Sequence, residues 1–493
     1  MTHLPAYQFD FGPGLSVPRG RALCRVQSPG ATEVVEQSFS YRFNDTSLLR
    51  DIGAILSPPL ADALDTSAII YLADRYAPRA INGSRQWHRR IHVQIPVRQA
   101  VLWRDDRVAR ALEAFLAFLT DDEWSIAFVP RTAPRRRTEQ QAVLLPNGGG
   151  RPASLAVLQS GGLDSCLGII DAAIRHPYGS ILAVSVVSHS HPSTVQRAVV
   201  TSIRRGISAD IVWARLHVGL SGVHRDHQES SQRARGFLYL MTGAVAAALG
   251  GASMLQVAEN GIGAINLPLA PDQLGTHTTR AMHPVTLARF EELMTVLFGQ
   301  PLTVRNVGLW QTKAELCRQV LGSTDDDTFF ADAACRTISC DRFPWIGLRQ
   351  ACGCCTSCLF RRLSLLAADR RDLDTNAIRG YAFDPLSATA DWSAHDLTPL
   401  YMLRSQAAQL HHALQAPEPF SALVEAFPSL MRIYHATAHL GLTERELQER
   451  LVRLYQAYVA EWDQFDRFIH WPPTGASEPI AITDPAVLAA IAS

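Results

Sequence analysis

Lysine is almost missing from this chain: Lys313 is its only one, which leaves 45 of the 46 basic side chains as arginine. Charge of one sign is not in excess either. Lys+Arg and Asp+Glu both number 46, so no net positive field advertises nucleic acid or an acidic membrane, and any such contact must be local. The opening MTHLPAYQFDFGPG lacks the basic start and apolar centre of a secretory signal, which gives the expectation of a cytoplasmic protein. Long apolar runs are scarce. One apolar stretch, residues 239–258, is free of charge over the ~20 residues a bilayer needs, and Gly250-Gly251 divides it into an Ala-rich helix and a short strand. Repeats and low-complexity tracts are absent. The 47% hydrophobic and 19% charged content excludes a disordered or fibrous chain, and 493 residues exceed the ~250–300 at which single cores stop growing.

What is plentiful is locally concentrated. Of the nine cysteines (Cys24, Cys166, Cys317, Cys335, Cys340, Cys352, Cys354, Cys355, Cys358), five fall between residues 340 and 358. An odd count without a signal disfavours a disulfide framework, and thiolates spaced by two residues suit a metal. Cys352, Cys355 and Cys358 with the more distant Cys340 make a four-cysteine zinc site, coordinatively full and therefore structural. Spacing alone separates Cys355 from Cys354, and an iron–sulfur cluster accepts the same ligands.

Between residues 151 and 330 apolar runs alternate with helical ones. SLAVLQ (154–159), SILAVSVV (180–187), ADIVWARLHV (209–218), SMLQVA (253–258) and LTVRNV (302–307) read as strands, which predicts an α/β fold with a doubly wound five-stranded parallel sheet. Ligands of such sheets sit at the carboxyl ends of the strands. Residues 1–150 read as an α+β accessory domain. It contains a strand in RRIHVQIPV and a helix whose apolar face is Val108, Leu112, Phe115 and Leu119. A Pro/Gly/Arg-rich linker follows at 130–152, with a solvated run Arg135–Arg137. Residues 331–370 hold the zinc segment, and 371–493 read as an all-α extension.

SLAVLQ runs straight into Ser160-Gly161-Gly162-Leu163-Asp164-Ser165 and then into a helix. Two glycines permit a tight turn, and the helix N-terminus offers unpaired N–H groups and a positive dipole end to phosphate. No Gly-Lys-Ser/Thr follows, so the lysine of a Walker loop is missing. The lone Lys313 suggests a place where a forked guanidinium will not serve. Cys166 reads as a core residue of the following helix.

The SGGLDS string resembles the PP-loop (N-type) ATP pyrophosphatases of the HUP class. With Ser339-Cys340, Cys352-Gly353, Cys355, Cys358, Arg361 and Lys313-Ala-Glu315, residues 154–365 resemble the QueC-like 7-cyano-7-deazaguanine synthase family. The resemblance implies ATP, Mg2+ and Zn2+. It implies nucleotide binding by Ser160, Gly161, Gly162, Leu163, Asp164, Ser165, Ser188 and Arg235. Catalysis would fall to Ser160, Asp164, Ser165 and Lys313, and substrate binding to Glu259, Asn260, His283, Lys313 and Arg361. VVSHSHPSTVQR and residues 264–284 depart from the family's substrate segments, so adenylation carries over more directly than the complete acid-to-nitrile reaction. The added flanks resemble the expanded forms in bacterial antiviral operons, QatC and its CBASS counterpart. That likeness implies adenylation of 7-carboxy-7-deazaguanine and coupling to an amine of a partner protein, its N-terminus, with neither membrane nor nucleic acid involved. The alternatives are ammonia as acceptor, giving the nitrile, and tRNA sulfur transfer of the PP-loop class.

Overall fold

The computed structural model describes residues 5–28, 33–81, 84–85, 87–141, 152–188, 190–224, 227–269, 279–322, 328–341, 351–374, 380–387 and 394–470. Parts of the expected linker (142–151) and of the 264–284 segment (270–278) lie outside them. The strands are β1 (Ala6–Asp10), β2 (Arg19–Gln27), β3 (Val34–Asn44), β4 (Ala80–Ile81), β5 (Ser84–Arg85), β6 (Arg90–Val97), β7 (Glu123–Pro130), β8 (Leu155–Leu158), β9 (Ser180–Val187), β10 (Asp210–Ser221), β11 (Met254–Val257) and β12 (Thr303–Asn306). β4 and β5 form a separate ribbon, and the other ten make one mixed sheet in the order β12-β11-β8-β9-β10-β3-β2-β1-β6-β7.

The five predicted strands are present as β8 to β12, mutually parallel; β8 and β9 are largely apolar and buried along their whole length, as strands covered on both faces must be, whereas the edge strand β12 buries only Val304. The sheet does not stop there, which corrects the five-stranded expectation. The far edge of β10 is taken by β3, antiparallel, with Val218 opposite Phe43 and His217 opposite Asn44. Left open, that edge would expose unpaired N–H and C=O groups. One apolar core accordingly runs from Phe9 and Phe39 through Phe115 and Phe237 to Val304.

Residues 239–258 divide as their glycines predict. The helix Arg235–Gly250 ends at Gly251, in the left-handed region at φ 75°, and β11 follows. No helix among the described residues is long and apolar enough to cross a membrane. In the helix Asp106–Thr120, Val108, Leu112, Phe115 and Leu119 are all buried, so its period was read correctly. Of the arginine run, Arg135 and Arg137 are exposed as expected, and Arg136 is the exception. Arg136 is buried against Asp45 at 3.0 Å and Asp65 at 2.5 Å, because the helix Pro58–Arg75 carries Asp62 and Asp65 inward and buried carboxylates need cations.

The C-terminal residues build a third core from Ala394–Leu414 and Glu444–Asp466, packed on Leu359, Leu363 and Leu366 of the helix Thr356–Ala367 and on Ile262 and Ile265. Within the run expected to be helical at 427–440, Pro428–Ala436 is a 3₁₀ helix.

Candidate functional site

Strand β8 ends against a bend that only glycine makes easily: Gly161 has φ +94°, a region L side chains rarely enter. Its neighbours are held by Gln159, whose Oε1 accepts from Gly161 N at 3.1 Å and from Ser165 Oγ at 2.6 Å. Gln196 Nε2, on the helix Ser190–Gly206, donates to the Ser160 carbonyl at 3.3 Å. The expected cradle is therefore partly closed. Ser160 N donates to Ser165 Oγ and Gly162 N to Ser160 Oγ, each at 3.3 Å. The helix Leu163–Arg175 starts beyond them with no side chain capping it. The groups that face outward for an anion are thus at the helix N-terminus rather than across the whole loop.

Three strand ends converge here. Asp164 stands in the first helical turn after β8, Glu259 and Asn260 follow β11, and Lys313 opens the helix Lys313–Leu321 after β12. Lys313 Nζ lies 3.0 Å from Asp164 Oδ2, and Asn260 Nδ2 lies 3.4 Å from the same oxygen. Asn260 Nδ2 also reaches Glu259 Oε1 at 3.3 Å. Burial pushes the Glu259 carboxyl well above its usual range, and the Asp164 charge adds to the push. Burial works against the Lys313 charge, yet Asp164 and Glu259 more than offset it and hold the ammonium above its ordinary pKa. Asp164 Oδ1 and Gln159 Nε2 are buried without a hydrogen-bond partner. Such orphaned atoms are costly in a folded protein and are what a ligand satisfies.

The cysteines also come together. The Sγ atoms of Cys340, Cys352, Cys355 and Cys358 are buried within 4.8 Å of one another, and those of Cys352 and Cys358 are 3.9 Å apart. Four sulfurs ~2.3 Å from a central zinc lie at about this spacing, so the cluster could hold a metal ion such as zinc. Two backbone amides point at the sulfurs: Cys352 N at Cys340 and Cys355 N at Cys352, each at 3.3 Å. Gly353 makes the turn at φ +85°, where a Cβ would fall 1.8 Å from the Phe383 carbonyl oxygen. Cys355, rather than its buried neighbour Cys354, belongs to the set. The cluster is tied to the loop, since Ile338 N, two residues before Cys340, donates to the Gly161 carbonyl at 3.0 Å.

Other expected residues are placed elsewhere or used differently. Arg361 is buried and donates to Thr337 Oγ1 and to the carbonyls of Ala334 and Leu373, so it fastens the cysteine segment instead of offering its guanidinium to substrate. His283 caps the helix Pro284–Phe298, Nδ1 accepting from Val285 N at 3.2 Å. Burial, with Arg280 and Arg432 nearby, pushes its pKa down to about 3. With Nδ1 committed as an acceptor the ring proton resides on Nε2, which does not suit a general base. Ser188 follows β9, its carbonyl held by Arg42, and Arg235 is exposed at the start of its helix. Neither hydrogen-bonds the loop among the described residues. Cys166 and Cys317 are core residues whose thiols are pushed up by burial, Cys317 to about 12.

Sequence reasoning missed Gln159, Gln196 and Glu461. Gln159 carried a signal, a polar residue closing an apolar strand. Gln196 and Glu461 carried none, because they are brought in from remote helices. Thr312 caps the Lys313 helix through Glu315 N at 3.1 Å and donates its hydroxyl to buried Glu461. Arg453 pairs with Glu315 at 2.7 Å. No family model, no curated protein and no solved structure matches the chain.

Proposed function

We propose that the chain is an ATP-dependent, AMP-forming ligase that activates 7-carboxy-7-deazaguanine and couples it to an amine, the N-terminus of a partner protein in an antiviral defence system. In the first step a carboxylate oxygen bonds to the α-phosphorus and pyrophosphate leaves. In the second the amine attacks the acyl carbon, AMP departs, and the amine loses a proton.

The observation that carries this reading is the meeting of Lys313 and Asp164 at an uncapped helix N-terminus, at the ends of the parallel strands β12 and β8 that flank β11. Helix amides and a buried ammonium set positive potential where pyrophosphate charge grows in the transition state. A phosphate oxygen could displace Ser160 Oγ from Gly162 N, a bond already long at 3.3 Å. Asp164 Oδ1, buried and unpaired, is the oxygen open to Mg2+, which would offset charge on the leaving group. Zinc, fully coordinated by its four cysteines, would hold structure only. Sulfur transfer has less support, because Cys166 and Cys317, on the helices that carry Asp164 and Lys313, are buried and burial pushes their thiol pKa up.

The test is AMP and pyrophosphate release from ATP with the deazaguanine acid, followed by the mass of the acceptor. Asp164→Ala and Ser160→Ala are expected to lose at least ~100-fold in AMP formation while retaining metal. Undiminished turnover in either variant rejects the assignment.

A further inference from the structure

A second cleft lies on the far side of the short helix Gly261–Ile265 from Asn260. It encloses about 270 Å³ and is lined from all three parts of the chain, by Trp87 and Asp121, by Arg280 and His283, and by Ser429 and Arg432. Its charge does not balance. Arg280 pairs with Asp121 at 2.6 Å, and Arg233 reaches the same carboxylate at 3.1 Å. Arg432, exposed at the rim, feels the charges of Arg280 and Asp121 and is in no ion pair found among the described residues. Within the lining, two guanidiniums, Arg280 and Arg432, thus face one acid, Asp121. Arg79, which also lies over the Trp87 ring, is already committed to Asp122.

Two hydrogen-bond donors in the lining are also unspent. Trp87 Nε1 and Ser429 Oγ are both buried without a partner. An unpaired buried donor costs about 1–3 kcal/mol, and two in one lining beside excess positive charge call for an acceptor-rich anion. The volume is close to the low end for small-molecule sites, ~300 Å³, which is more than a bare inorganic ion needs.

We propose that this cleft is a second binding site, separate from the Asp164–Lys313 centre, for a small molecule bearing a compact oxyanion. Arg432 and Arg280 meet the charge, and Trp87 Nε1 and Ser429 Oγ donate to its oxygens. Phosphate and carboxylate share this chemistry, and the experiment tells them apart.

The full-length protein is titrated by calorimetry with inorganic phosphate and, separately, with acetate. Saturable binding of either ion is expected. Arg432→Ala and Ser429→Ala should each weaken it about tenfold or more, whereas Ser160→Ala should leave it unchanged. Preference for phosphate identifies a phosphorylated ligand, and preference for acetate a carboxylated one. Arg432 is exposed, so its variant should fold, which a circular dichroism melt verifies. Absence of saturable binding up to about 10 mM of either ion, or binding untouched by Arg432→Ala, overturns the proposal. Binding lost only in Ser160→Ala assigns the anion to the loop and overturns it equally.

Discussion

Lys313 is set apart by chemistry as much as by rarity. A single ammonium 3.0 Å from Asp164, walled in by Glu259, fills a point-shaped space, and a guanidinium is broader and demands several acceptors in a plane. Lys313→Arg is therefore expected to keep the fold and the metal but lower AMP formation by at least ~10-fold, read by comparing turnover with the melting temperature. Both Asp164 and Lys313 were legible beforehand, one in SGGLDS and the other as the sole lysine. Their pairing was not, since it depends on β8 and β12 flanking β11, an order that no local pattern encodes. The contacts of His283 with a helix end and of Arg361 with the cysteine segment were hidden for a related reason. A polar residue near a site looks the same in sequence whether it faces a ligand or secures a helix end.

Among the elements, the helix Glu444–Asp466 has the most influence on the site relative to its distance in sequence. It was legible as a helix of the all-α extension, but its polar contacts to Thr312 and Glu315 were not. Burial pushes Glu461 from 4.5 up to about 7, with Thr312 and Arg318 opposing. The folded state therefore keeps this proton to a higher pH than the unfolded chain does. Stability should fall as pH rises from about 4.5 to about 7, by on the order of 3 kcal/mol from this group. Glu461→Gln, which cannot ionise, should flatten that part of the curve in urea melts run between pH 5 and 8. An unchanged slope would show that the carboxyl ionises freely in place. Helices and parallel strands were legible because their periodicities are local. The β3–β10 pairing was not, because register between distant strands is settled only when the core closes.

At the scale of the molecule, the cysteine cluster and the loop form one mechanical unit through Ile338 and Gly161. Stripping the metal with a chelator should lower the melting temperature and weaken AMP formation together, although no cysteine touches the reacting atoms. Cys355→Ser should lose the metal and Cys354→Ser retain it, as mass spectrometry under native conditions would record. A metal assay that finds iron in place of zinc would redirect the reading toward sulfur chemistry. The cluster was legible as a set of spacings, and even its fourth ligand was named. Its bond to the loop was not, because that runs through backbone atoms which carry no sequence signature.

The unbroken run of hydrogen bonds from β12 to β7 has a practical consequence. Expressed together as two pieces, 1–141 and 152–493, the halves should complement one another, zipping β3 onto β10 without a covalent tether. Expressed alone, the larger piece would present a naked, apolar strand to its own copies and should precipitate. Split-protein reconstitution is thus built into the architecture, and the seam between β3 and β10 is where it would occur.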